Sequence, residues 1–295
     1  MQITVLYGGV GAERAVSLVS GRRVFEALSQ NGHITLLHDW RAEMLSDALC
    51  AQLRAADAVF LALHGDAGEN GTLQAALERA GIFHYTGTPP AGAALAMQKQ
   101  AAKACVAAHG VRVAQGDLWI PGEKLPVEPP LVVKPLQGGS SVGLCIVQTH
   151  AELQNIPPTA PLLCEKYLAG REYTVGILAD TPLPVVEIRP LGGTYDYRCK
   201  YTPGACEELC PAPLDIAKAK RMQEMALVCF RALGLRDFAR VDFREDAAGE
   251  PHFLEANTLP GMTPTSLLPL AARVAGLDFA ALCETMCRMA QKRKI

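Results

Sequence analysis

The sequence contains no apolar run of the roughly 20 residues needed to cross a bilayer. Its first residues, Met1 to Tyr7, carry neither a basic n-region nor a small-residue cleavage site, so they read as a strand and not as an export signal. Charge of one sign is missing too: 28 Lys and Arg against 30 Asp and Glu leave a net charge of −2. That balance gives no electrostatic footprint for nucleic acid or an acidic membrane. A small anionic ligand would have to be met by locally placed cations. No C-x₂-C pair occurs, and the ten cysteines are scattered through apolar segments such as Leu162-Leu163-Cys164 and Leu227-Val228-Cys229. This fits reduced, buried thiols in a cytoplasmic protein. Cys199, Cys206 and Cys210 raise a zinc site, but without a C-x₂-C pair none is expected. Cys283 and Cys287, one helical turn apart, read as core.

Two nucleotide fingerprints are also absent. Gly8-Gly9-Val10-Gly11 is not G-x-G-x-x-G, which argues against a nicotinamide site and a dehydrogenase. The glycines after Lys134 lack the GK[ST] that opens a helix in a Walker loop. No internal repeat is visible.

What is present is 295 residues with 49% hydrophobic and 20% charged side chains, the profile of a soluble enzyme with room for two or three domains. Residues 1–88 alternate strand and helix: QITVLY, a helix from about Glu13 to a stop at Asn31-Gly32, ITLLHDW, a second helix, and DAVFLAL. Such alternation predicts a parallel sheet. Glu13 and Arg14 open the first helix, where Glu13 could simply complement the helix dipole. DAVFLAL runs into HGDAGENG. Ligands of open parallel sheets bind beyond the carboxyl ends of strands, which singles out His64.

Thr88-Pro89-Pro90-Ala91-Gly92 marks a boundary. A helix over 93–110 carries Lys99 and Lys103. LVVKP, ending in Lys134, leads into Gln137 to Gly143, a Gly-Gly-Ser-Ser loop containing Ser140 and Ser141. Its N–H groups and hydroxyls could cover nucleotide phosphates, although ordinary hairpin turns use the same residues. LLCEKYL, REYTVGIL and PLPVVEI read as strands, the last two as a hairpin. Residues 192–211 have prolines and no periodicity, and a connection that long is uncommon unless functional. A helix from Asp215 to Leu233 precedes the densest stretch, 237–267, and two helices close the chain.

In that stretch, Phe238 to Phe243 and Phe253 to Asn257 flank a polar turn at Glu245 to Glu250, predicting a hairpin. Strand alternation puts Arg240 and Asp242 on one face, with Glu255 and Asn257 beside them. Val241, Phe243, Leu254 and Ala256 take the other face. Two carboxylates and a carboxamide suit Mg²⁺. Taken alone, the hairpin could equally be a solvated polar face.

Glu255-Ala256-Asn257-Thr258-Leu259-Pro260-Gly261-Met262-Thr263 with Ser266-Leu267 resembles the C-terminal signature of the D-alanine–D-alanine ligases. Lys134 to Gly143 is similar to that family's KPxxxGSSxG segment, His64 to Gln74 to its N-terminal signature, and Gly8-Gly9 through Ser17-Leu18 to its first loop. The likeness covers essentially the whole chain. It implies an α/β ATP-grasp fold: an N-terminal Rossmann-like parallel-sheet domain (1–88, first D-alanine site), a central domain (89–172) and a C-terminal domain (173–295, metal and second D-alanine site).

The resemblance further implies ATP-dependent ligation of two D-alanines through an acyl phosphate, for peptidoglycan precursor synthesis, by a cytoplasmic homodimer without nucleic-acid or membrane partners. Asp242, Glu255 and Asn257 would hold two Mg²⁺ (or Mn²⁺), with Glu255 bridging. Lys99 and Lys134 would meet the phosphates under the loop bearing Ser140. Glu165, Lys166, Tyr167 and Leu168 would line the adenine and ribose pocket through backbone groups, with Glu172 on the ribose. Arg240 and the backbone of Gly261 would face the oxyanion. Glu13 would hold the first ammonium and link through Ser141 to Tyr201; His64 would lie near the first carboxylate. Lys200, Ser266 and Leu267 would receive the second. Tyr201, where D-lactate-using relatives commonly have histidine, favours the dipeptide. Asn70 and Gln98 depart from the family's usual aspartates. A ligase using D-lactate or D-serine, or a nucleotide-binding module without turnover, are the competing readings.

Overall fold

Strand β1 (Gln2–Gly8) lies between β2 (Ile34–Trp40) and β3 (Ala58–Ala62), paired parallel to both. Parallel neighbours require crossovers, supplied here by α1 (Arg14–Gln30) and α2 (Asp47–Ala55). The parallel sheet expected from the alternation is present. Helix α1 stops where the sequence indicated, at Asn31, with Gly32 following at φ +79°. Helix α2 starts on Ser46, whose hydroxyl accepts the Leu49 N–H at 3.2 Å. After β3 come two short helices, α3 (Asp66–Glu69) and α4 (Thr72–Arg79).

The computed structural model describes residues 1–11, 13–41, 44–136, 143–156, 161–191 and 204–294. The single helix expected over 93–110 is instead two, α5 (Pro90–Met97) and α6 (Lys99–Ala108), separated at Gln98 by extended backbone, φ −89° and ψ 96°. Pro90 occupies the first turn of α5, where its missing N–H costs no helical bond. The break places Lys99 at the start of α6, where its backbone N–H donates to the Leu136 carbonyl at 3.3 Å.

Leu136 follows β5 (Leu131–Pro135) of a four-stranded antiparallel sheet, completed by β4 (Gly116–Trp119), β6 (Cys145–Val147) and β7 (Leu162–Lys166) in the order β4-β7-β5-β6. Trp119, Leu131, Val133 and Cys164 form its core. A third, antiparallel sheet runs β11-β10-β8-β12-β13. Its strands are β8 (Glu172–Leu178), β10 (Val186–Pro190), β11 (Cys206–Leu209), β12 (Phe238–Glu245) and β13 (Pro251–Asn257), with β9 (Thr181–Pro182) paired to β8. Strand β11 corrects the reading of 192–211 as wholly irregular, because Cys206–Leu209 pairs with β10.

Three helices complete the chain: α7 (Ile216–Ala232), capped by Asp215, then α8 (Leu267–Val274) and α9 (Phe279–Gln291). Val175, Val241, Phe243 and Phe253 from the third sheet share a core with Val106 of α6 and Phe230 of α7. Each such fully buried side chain contributes about 1.5–3 kcal/mol. Helices α8 and α9 turn back, so that Leu268, Cys283 and Met286 share a core with Leu28 and Phe60 of the first unit. The third sheet therefore has one greasy face against α6 and α7, while its other face packs Phe238, Val186 and Ile188 in the core with α8 and leaves the remainder for polar side chains. No helix among the described residues is long and apolar enough to cross a membrane. The described cysteines are free thiols, and no group of three His, Cys, Asp or Glu side chains among the described residues could hold a metal.

Candidate active site

The polar face of the third sheet is built by register. Arg240 lies opposite Asn257 and Asp242 opposite Glu255 across β12 and β13, so the four share one face, as strand alternation predicts. On the other flank of β12, Gly176, Thr174 and Glu172 of β8 lie opposite Arg240, Asp242 and Arg244. One inward assignment needs correction. The register slips after Asp242, so Phe243 faces Phe253 and Leu254 is left without a partner. Phe253, not Leu254, joins Ala256 in the core. A bulge of this kind re-aims neighbouring side chains.

Asp242 is only 3% exposed, yet its surroundings are polar. Arg240 Nε and Nη2 donate to its two oxygens at 2.9 and 3.0 Å. Thr174 Oγ1 donates to Oδ1 at 2.6 Å and Asn257 Nδ2 to Oδ2 at 2.9 Å. An ionised carboxylate offers about four acceptor sites, so Asp242 is saturated. This buried network excludes an ordinary solvated face. Beside it opens a cleft whose lining includes Glu69, Lys99, Glu255 and Asn257.

Along the same face, Arg244 donates to Glu172 at 3.3 Å and to the Tyr167 hydroxyl at 3.1 Å, with its guanidinium 5.2 Å from the Tyr167 ring centre. Arg244 was not singled out in the sequence. The signal existed, since it stands two residues beyond Asp242 and so shares its face. Of the neighbouring candidates, Lys166 is exposed and Leu168 buried. The backbone N–H groups of Lys166 and Tyr167 donate to the carbonyls of Gln115 and Pro130, at 2.8 and 3.0 Å. Glu165 is a surprise. Its side chain is buried between Lys134 Nζ, at 2.8 Å, and the ammonium of Lys103, which it also contacts. Burial alone would raise the Glu165 carboxyl, but the charges of Lys134 and Lys103 prevail and hold it below the usual range.

The first unit meets this face through two acids and a histidine. Glu13 immediately precedes α1 without a side-chain capping bond. Its carboxylate lies against Gly65, where any β-carbon would collide with it. Arg14 turns away to grip Asp39 at 2.8 and 2.7 Å and the Gly9 carbonyl at 2.9 Å, tying the ends of β1 and β2 together. The Arg14 hydrogen bonds hold the Asp39 carboxyl below its ordinary range.

His64 is buried, with Nδ1 3.0 Å from the Leu259 carbonyl and Nε2 3.0 Å from Ser20 Oγ. These partners assign the neutral tautomer: Nδ1–H donates and Nε2 accepts from the hydroxyl. Ser20 Oγ in turn accepts the Met262 N–H at 3.2 Å. Burial, against the Leu259 bond, pushes the imidazole down to about 4. Glu69, not singled out from the sequence, accepts the N–H of Gly65 at 2.7 Å and of Leu259 at 3.3 Å. Burial, then the charge of Glu13, pushes it up to about 7. Arg240 is near enough for its charge to act on both His64 and Glu69.

The turn these groups hold carries Gly261, where a β-carbon would lie 2.7 Å from Ser266 Oγ. Ser266 Oγ accepts the Thr263 N–H at 2.8 Å at the head of α8, and Leu267 begins that helix buried. Gly176 leaves room for Leu268 to reach the sheet. Asn70 is occupied locally, accepting the Thr72 N–H at 2.9 Å, and Gln98 is exposed. The candidates Ser140, Ser141, Lys200 and Tyr201 lie outside the described residues.

Residues 119–288 match the family described as D-ala D-ala ligase C-terminus. The D-alanine–D-alanine ligase of Aquifex aeolicus is 41% identical, with 96% of this chain and 98% of that protein covered. The enzyme of the same name from Bordetella petrii is 40% identical over 96% of this chain and 90% of its own. Among solved structures, the D-alanine–D-alanine ligase of Bacillus anthracis superposes with a TM-score of 0.86 at 32% identity, covering 100% of this chain and 98% of that one. The VanG D-Ala:D-Ser ligase of Enterococcus faecalis superposes with a TM-score of 0.81 at 27% identity, over 98% and 99% of the two chains.

Proposed function

The chain belongs to the D-alanine–D-alanine ligase family, and we propose that the polar face around Arg240, Asp242, Glu255 and Asn257 is where it activates a carboxylate with ATP. It is an ATP-dependent ligase that joins two D-alanines to D-alanyl-D-alanine, the dipeptide of peptidoglycan precursors. The relatives near 40% identity carry the D-alanine name, which favours that second substrate over the D-serine of the more distant neighbour.

A carboxylate is a poor electrophile, and ATP converts the first D-alanine to an acyl phosphate that the second amine attacks. Anion meets anion at the transfer, so positive charge must stand where negative charge develops. Lys99 in the cleft and Lys134 nearby serve the phosphates. Arg240 and the Gly261 backbone face the oxyanion. Glu13 receives the first ammonium, with His64 and Glu69 shaping that end of the site. Ser266 and Leu267, at the N-terminus of α8, receive the second carboxylate together with Lys200. Ser140, Ser141 and Tyr201 close over the substrates, which matters because an acyl phosphate hydrolyses in water. Glu165 to Leu168 line the base and sugar, with Glu172 on the ribose.

The donor set of Asp242, Glu255 and Asn257 fits hard divalent cations, since all three offer oxygen. Asp242 already holds four donors, so it would yield one to a metal; rotation of the Asn257 amide would present Oδ1 in place of Nδ2. Two Mg²⁺ or Mn²⁺ held there would supply charge neutralisation for the phosphate oxygens. In this reading 1–88, 89–172 and 173–295 are the three domains, with shared cores where α5 and α6 meet the third sheet and α8 and α9 the first. The enzyme works as a cytoplasmic homodimer.

The observation that carries the site assignment is the convergence of Lys99, Glu255 and Asn257 on one cleft beside the Arg240–Asp242 pair. Purified protein with ATP, Mg²⁺ and a mixture of D-alanine, D-serine and D-lactate should release phosphate and yield D-alanyl-D-alanine by mass spectrometry. Glu255→Gln should lower turnover at least about 100-fold with an unchanged melting temperature. Phosphate release with L-alanine but not D-alanine would overturn the activity. Near-normal turnover of Glu255→Gln would overturn the site.

A further inference from the structure

One carboxylate needs one counter-ion, yet Glu165 has two. Lys103 reaches it from α6 and Lys134 from β5, and the three side chains are no more than 10% exposed. Gathering a second ammonium into such a place costs desolvation and cation–cation repulsion. The charge of Lys134 is, after burial, the largest influence lowering the Lys103 amine, to about 8. Beyond Glu165, the charge of Glu255 in the cleft also reaches Lys103, so the second ammonium stands on the side where further anionic charge would bind.

The two lysines are not equivalent. The Lys103 ammonium is sealed from solvent, and its helix is fixed on both sides. Ala102 and Val106 are packed in the core shared with the third sheet, and Gln100 Nε2 donates to Asp117 of β4 at 2.8 Å. Lys134 stands two residues before Leu136, whose carbonyl receives the first N–H of α6. It therefore sits at the junction from which Lys99 enters the cleft.

We propose that Lys103 is a positioning residue, the resident counter-ion of Glu165, whose presence lets Lys134 leave that carboxylate for the phosphates of ATP. The proposal rests on the ATP site put forward above and adds to it an exchange of partners. Before nucleotide arrives, Lys134 is parked on Glu165. When it moves to the phosphates, Lys103 keeps the buried carboxylate compensated. Without Lys103 the same move would strand an unpaired charge, which is strongly unfavourable, so Lys134 would stay where it is.

The test is Lys103→Met, alone and in a Glu165→Gln background, with Lys103→Arg as the charge-conserving control. Lys103→Met should raise KM for ATP at least tenfold, leave KM for D-alanine within twofold, and weaken binding of ATP much more than of adenosine in calorimetry. In the Glu165→Gln background, where no charge needs compensation, the same substitution should change KM for ATP by less than twofold. Lys103→Arg should recover most of the loss. An equal effect in both backgrounds, or equal weakening of ATP and adenosine, overturns the proposal. If Lys103→Met does not fold alone, the comparison of Glu165→Gln with Lys103→Met/Glu165→Gln, which buries no lone carboxylate, and Lys103→Arg against wild type decide it. Absence of ATP binding by the wild-type protein would instead overturn the nucleotide site itself.

Discussion

His64 shows how a single side chain sets a condition on the whole fold. Its two nitrogens are committed to Leu259 and to Ser20, so the ring is buried neutral. In the unfolded chain it titrates near 6.5, and in the fold near about 4. Its contribution to stability is complete above the unfolded value and is lost as pH falls towards the folded one. At pH 5 the unfolded chain binds a proton that the fold refuses, which costs about 2 kcal/mol. Glu69 works in the opposite direction. Its carboxyl, raised to about 7, favours the fold at low pH and costs stability as pH rises from 4.5 towards 7. The two slopes oppose one another where they overlap, so the acid limb of His64 is hidden in the wild-type profile. His64→Gln should expose it. At pH 7 the variant loses about 1–2 kcal/mol of hydrogen bonding, and by pH 5 that deficit should shrink or reverse, shifting by about 2 kcal/mol in urea unfolding. A deficit that is the same at both pH values would show that the ring is not held neutral.

At the scale of elements, the loop after β3 and the head of α1 fit together through a missing side chain. Gly65 has φ +66°, and a β-carbon there would strike the Glu13 carboxylate. Gly65→Ala should cost about 1–2 kcal/mol for the left-handed backbone and displace Glu13. The expected result is a rise of at least tenfold in KM for the first D-alanine with ATP binding unchanged, read by steady-state kinetics and calorimetry; an unchanged D-alanine KM would separate Glu13 from substrate binding. Sequence reasoning reached the glycine-rich loop and Glu13 separately, because contact between them depends on how α1 crosses the sheet. The hairpin was legible down to the shared face of Arg240, Asp242, Glu255 and Asn257, since a period of two leaves little freedom; which residue lies opposite which was not. The bulge at Leu254 was not, because one unpaired residue in an apolar strand leaves no mark in composition. Nor was the break at Gln98, which an alanine-rich run conceals and which is fixed by the distant Leu136 carbonyl. Cys206–Leu209 looked irregular because an edge strand needs no apolar alternation; its Glu207 instead meets Arg189 of β10 at 3.4 Å. Lys103 and Glu165 are far apart along the chain, so no spacing could have joined them.

At the scale of the molecule, the site requires the first sheet to be held against the turn at 258–262, because Glu13 and His64 ride on one and Gly261 on the other. Helix α9 does much of this holding, since its buried Cys283 and Met286 lie in the core that joins the two. Just beyond its end, Arg293 closes a clasp. Its guanidinium donates to both oxygens of Asp237 at 3.0 and 2.7 Å and to the Tyr85 carbonyl at 2.7 Å. Asp237 also accepts the Gly87 N–H at 3.1 Å, and its own backbone is left-handed, φ +64°, at the entry to β12. The Asp237 side chain is 7% exposed and that of Arg293 23%, so breaking the pair leaves a mostly buried carboxylate with only Arg236, 4.0 Å away, and the Gly87 N–H beside it, and these with the partial solvation of Arg293 soften the loss. We expect Arg293→Ala to lower stability by about 2 kcal/mol, below the range for a fully buried pair. Asp237→Asn should remove most of that penalty, giving a coupling of at least about 1 kcal/mol in a double-mutant cycle. Because the clasp ties Tyr85 and Gly87 of the first unit to the entry of β12, its loss should weaken D-alanine binding at the first site more than ATP binding. Strict additivity of the two substitutions, or equal weakening of both ligands, would show that the first sheet is held in place by packing of α9 alone.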